Sequence, residues 1–135
     1  MDEKLKHLEF IQAAISRMAT SSFLFKGWAI TIAAGLGAFA AADTKAAVVL
    51  IALVSTFMFW GLDGYYLWLE RGFIKLYDVV AKAGADDKID FTMAPDTVDG
   101  AKGWLKVCLC RPHLYAFYGS IIIIELAGAL WIRSK

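Results

Sequence analysis

Histidine and cysteine are scarce in this chain of 135 residues, with two of each. His7 and His113 lie toward opposite ends of the sequence, and no nucleophile, phosphate loop or metal quartet accompanies either. The usual starting points for catalysis are therefore missing, and neither an enzymatic activity nor a cofactor is expected. Cys108 and Cys110, in CLCRPH, make only three donors with His113, so they are read as inert thiols of a reducing compartment rather than a zinc site. Charge is also thin, at 20% of residues against 59% hydrophobic, a balance that leaves the soluble average and moves toward membrane proteins. The net charge of +1 says little, because its distribution along the chain matters more than the sum. There is no internal repeat and no low-complexity segment. The opening MDEKLKH lacks the short apolar core and small-residue site of a signal peptide, so no processing is expected.

What the chain does have is three long uncharged runs. GWAITIAAGLGAFAAA, between Lys26 and Asp43, and AAVVLIALVSTFMFWGL, between Lys45 and Asp63, hold 16 and 17 residues. Each is slightly short of the roughly 20 residues that cross a ~30 Å hydrocarbon layer, and flanking charges at the interface make up the difference. The third, HLYAFYGSIIIIELAGALWI, runs from His113 to Ile132 and is interrupted by Glu125. The fold class expected is an all-α membrane protein, a single domain over 1–135 with spans at about 26–43, 45–63 and 113–132. Eleven basic residues fall on the side of the N-terminus and three, Lys45, Arg133 and Lys135, on the other. The positive-inside rule then places the N-terminus in the cytoplasm and the C-terminus outside, in a bacterial inner membrane. Ala42 to Lys45 becomes a tight external turn between the first two spans.

Helical spacing continues outside the spans. Leu8, Ile11, Ile15, Met18 and Ser22 form one face of an amphipathic helix over 2–22, surrounded by Lys4, Lys6, His7, Gln12 and Arg17. Beyond Asp63, Leu69, Phe73, Leu76 and Val80 make one stripe and Arg71, Lys75, Asp78 and Lys82 another, so the second span extends into the cytoplasm and stops near Gly84. Gly, Pro and acidic residues mark the following segment, and 84–111 is assigned to a cytoplasmic loop before the last span at 112–135. Ala29, Ala33, Gly37 and Ala41 recur at steps of four and give the first span a smooth groove for a neighbouring helix, from the same chain or from another copy.

Two groups carry the candidate chemistry. Glu125 sits about 18 Å from one end of its span and about 12 Å from the other, and a carboxylate so deep costs roughly 3 kcal/mol unless it is neutral, paired or wet. It is read either as a neutral acid hydrogen-bonded to a neighbouring helix, as one member of a glutamate ring lining a cation path, or as the proton site of a transporter. The second group is WGLDGYYLWLERGFIKLYDVV, where Asp63, Tyr66, Glu70, Ile74 and Tyr77 share a face. Lys26 and Arg17 are the nearest expected partners of Asp63 and Glu70. Such a network is either an ordinary interfacial ion-pair belt or a gate with two arrangements. Arg71, Lys75, Lys82, Lys102 and Lys106 would attract an anionic ligand, with Tyr66 or Trp68 available to stack a base.

The stretches HLEFIQAAISRMATSSFLFKGW (His7 to Trp28) and LDGYYLWLERGFIKLYD (Leu62 to Asp78) resemble a family of small bacterial membrane proteins that act as anti-phage effectors. The likeness is to the Hailong membrane effectors, and more loosely to the SLATT-type two-span effectors; it covers about half the chain. It lies in the order amphipathic helix, helical hairpin, cytoplasmic extension, to which this sequence adds a third span. The resemblance implies a homotetrameric ion channel held closed by single-stranded oligodeoxyadenylate from a partner nucleotidyltransferase. Loss of that ligand would open the channel, depolarise the membrane and arrest growth. A non-conducting scaffold or accessory subunit, and a proton-coupled transporter using Glu125, are the other functions the residues allow.

Overall fold

The computed structural model describes residues 2–42, 46–84, 88, 90–95 and 100–134, and all four of its elements are helices: α1 (Asp2–Ala42), α2 (Ala46–Lys82), α3 (Gly100–Cys110) and α4 (Pro112–Arg133). Three of them, α1, α2 and α4, are long and apolar enough to cross a membrane. Two expectations are corrected. The amphipathic segment and the first span are one unbroken helix of 41 residues, because no glycine or proline interrupts the chain between Ser22 and Lys26. Residues 100–110, assigned to a loop, are also helical; Gly100 adopts a positive φ of 50° and opens the helix. The expected turn at Asp43, Thr44 and Lys45 lies outside the described residues, as does Lys135.

α1 and α2 run antiparallel and make the most extensive contact in the molecule. At one end, Lys4 donates to the carbonyls of Ala81 (3.2 Å) and Ala83 (2.7 Å), so its ammonium answers the negative end of the α2 dipole. Ile11 then packs on Leu76 and Val80, with Leu8, Ile15, Phe73 and Tyr77 around them. Of the stripe expected over Leu69, Phe73, Leu76 and Val80, the last three meet α1, while Arg71, Lys75, Asp78 and Lys82 are exposed. Farther along, the seam passes through Ser22, Ala29 and Ala40 of α1 and through Val48, Ala52, Thr56 and Asp63 of α2.

α4 starts abruptly because Pro112 at its first position fixes φ, and Arg111 alone, in an extended conformation, separates it from α3. It packs antiparallel to α2 through a cluster of Ala29, Val107, Leu114 and Tyr118, flanked by Trp60, Leu67, Trp68 and Phe117. α3 lies against α2 near Gly61 and Gly64. The Trp104 indole donates to the Gly61 carbonyl at 3.0 Å, and the Trp60 indole donates to the Cys108 carbonyl at 3.1 Å. Gly64 permits this approach, since a Cβ there would overlap the Cys108 sulfur.

Candidate functional site

Asp63 is fully buried where α1, α2 and α4 meet. Its carboxylate accepts from the Lys26 ammonium at 2.5 Å, from the Tyr118 hydroxyl at 3.0 Å and, in a short contact, from the Ser22 hydroxyl. Lys26 also donates to Ser22 Oγ at 3.0 Å, which closes a ring of three side chains. A buried carboxylate is tolerated only with such compensation, and breaking this pair by removing one partner leaves the other charge exposed to the full desolvation cost.

Two turns away on α2, the Thr56 hydroxyl donates to Glu125 Oε1 of α4 at 2.9 Å. Glu125 Oε2 is buried without a hydrogen-bond partner among the described residues. It borders a cleft of about 510 Å³ between α1, α2 and α4, walled by Ala33, Gly37, Ala52, Gly128 and Ala129. In the opposite direction along α2 stands Glu70, half-buried, whose carboxyl burial pushes above the usual carboxylate range despite the pull of Lys26. Thr56, Asp63 and Glu70 are seven residues apart, about 10.5 Å per step, so they stack on one face of α2. Glu125 and Tyr118 on α4 have the same seven-residue offset and meet Thr56 and Asp63 respectively. A polar file thus runs through an otherwise apolar bundle.

Sequence reasoning named Asp63, Lys26, Glu70 and Glu125, and the fold gathers all four on or beside this file. Arg17 is not among them: it is exposed on α1 and forms no ion pair with a described residue. Ser22 and Tyr118 were missed as members of the site. Ser22 reads in the sequence only as the end of an apolar stripe, and Tyr118 reaches Asp63 across 55 positions, with nothing local to announce the pairing.

The residues expected to take an anionic ligand separate into groups. Arg71 and Lys75 of α2 and Lys106 of α3 line one cleft of about 620 Å³, together with Trp68 and with Arg111, which had not been singled out. Lys82 and Lys102 are exposed outside that cleft. Tyr66 faces α1, its ring 5.2 Å from that of Phe25, so Trp68 is the aromatic available to a ligand in the cleft. Cys108 is buried against Gly64, and burial together with the nearby Asp63 charge pushes its thiol pKa up; Cys110 is exposed. No group of three or more metal-ligating side chains occurs among the described residues.

No protein-family model, no curated protein and no solved structure matches this chain.

Proposed function

We propose that the protein is a homo-oligomeric membrane channel whose cytoplasmic end is controlled by an anionic nucleotide. The observation that carries this reading is the polar file of Glu125, Thr56, Asp63 and Glu70, since ionisable groups set deep among apolar helices are costly and are retained where ions or protons pass. Three helices are too few to enclose a path, so several copies must surround it, and four is the number the family resemblance implies. Asp63, locked by Lys26, Ser22 and Tyr118, is the closed arrangement of the gate; releasing Lys26 frees a carboxylate for a passing cation. Arg71, Lys75 and Lys106 supply the cytoplasmic attraction for a phosphate-bearing ligand. In this reading the cell is a bacterium, the ligand is single-stranded oligodeoxyadenylate, and its loss during phage infection depolarises the inner membrane.

The test is ion flux from liposomes containing the purified protein, with and without oligodeoxyadenylate. Flux that the oligonucleotide suppresses, that Asp63→Asn renders insensitive to it and whose cation selectivity Glu125→Gln weakens is the expected result. Absence of flux under every condition, from protein shown to be folded and oligomeric, overturns the channel and leaves a scaffold.

A further inference from the structure

The basic cleft between α2 and α3, closed by Arg111 of the linker to α4, combines features that a soluble-ligand site does not need. Four cations, Arg71, Lys75, Lys106 and Arg111, surround it, and no carboxylate lines it. Its walls are apolar or bare: Ile74, Val107, Gly72 and Gly103. Arg111 immediately precedes Pro112, the first residue of a helix able to span a membrane, so the cleft opens at the level where that helix enters lipid. The outer arc of α3 next to it alternates Lys102 and Lys106 with Leu105 and Leu109, which are 49% and 65% exposed. Cationic and apolar side chains on the same exposed arc are the signature of a helix lying in a headgroup layer. Trp68 and Trp104 on the same side fit the aromatic belt of that layer.

From these features we infer that the cleft is a binding site for the headgroup of an anionic phospholipid of the cytoplasmic leaflet. Its phosphate lies between the α2 and α3 cations, and its acyl chains lie along Ile74, Leu105 and Leu109. Basic pockets between membrane helices on this side take such headgroups. The inference rests on the membrane orientation proposed above and not on conduction. α3 is bonded to α2 at Gly61 and through Trp60, within a turn of Asp63, so a lipid seated there is placed to bias the buried network. A nucleotide drawn to the same cations then competes with the lipid phosphate for the cleft.

Native mass spectrometry of the oligomer from mixed micelles of equal phosphatidylglycerol and phosphatidylcholine tests this without measuring flux. Phosphatidylglycerol is expected to be retained preferentially. Retention should fall about thirty-fold in Lys106→Gln/Arg111→Gln, at roughly 1 kcal/mol per cation. The same loss is expected from Arg71→Gln/Lys75→Gln on the opposite wall, and none from Lys6→Gln/Lys88→Gln, which removes equal charge at exposed positions away from the cleft and from α3. Equal retention of the two lipids overturns the inference, as does wild-type retention in either cleft variant. So does a cleft that binds added oligodeoxyadenylate, loses it in both cleft variants and retains phosphatidylglycerol unchanged, which assigns it to the nucleotide.

Discussion

Glu70 shows how a single side chain reports on its surroundings. It lies beyond the apolar run of α2, and burial raises its pKa from 4.5 more than Lys26 lowers it. The folded protein therefore holds that proton more tightly than the unfolded chain does, and stability declines as pH rises from about 4.5 through the raised value. Glu70→Gln, which stays neutral throughout, should raise the melting temperature at pH 7 relative to wild type and leave it nearly unchanged at pH 4. An equal shift at both pH values would mean that packing, not protonation, governs the position. Glu70 and Asp63 were both legible in sequence because acids among aromatics at helical spacing stand out, and Lys26 was legible as the charge closing the first span. Tyr118 and Ser22 were not, because a neutral hydroxyl carries no sign of its partner and the contact spans three helices.

At the scale of the helix, legibility followed length and periodicity. The apolar runs of α1, α2 and α4 are long enough that no other element fits them, whereas α3 has only 11 residues and follows a segment whose Gly, Pro and acidic residues read as loop. Its signal was present in the spacing of Trp104, Val107 and Cys108, an i, i+3, i+4 pattern on the face that now meets α2. Within one copy, the neighbouring helices use only part of the small-residue stripe. Strict steps of four drift by about 40° each on a helix of 3.6 residues per turn, so Gly37 and Ala41 have rotated to exposed positions, and Ala40 takes the seam instead. Where α3 crosses α2, Gly64→Ala should cost about 1–3 kcal/mol of stability through overlap with the Cys108 sulfur. Adding Cys108→Ala should recover most of that loss in chemical denaturation; failure to recover it would place the strain elsewhere in the contact.

For the whole molecule, the two thiols test the proposed membrane orientation. Cys110 is exposed while Cys108 is buried, with its thiolate disfavoured by burial and by Asp63. A membrane-impermeant maleimide should modify Cys110 in inside-out vesicles and leave it untouched in intact cells, whereas Cys110→Ser should abolish the labelling. Labelling from the outer face of intact cells would reverse the proposed orientation. The large apolar side chains left uncovered in a single copy, among them Phe39, Leu50, Ile123, Ile124 and Leu130, are at least half exposed, which is the condition expected of spans that meet lipid or other copies.

The unbroken course of α1 has a mechanical result. At 41 residues it is about 61 Å long, and one stiff rod links the Lys4 anchor at its foot to the small-residue end beside Glu125's cleft. A tilt of about 5° around the Lys26 contact, close to two-fifths of the way from its far end, carries the foot through roughly 3 Å and the far end through roughly 2 Å in the opposite direction. Neither end of α1 can therefore swing without disturbing its long seam with α2, in which Ser22 and Lys26 together hold Asp63.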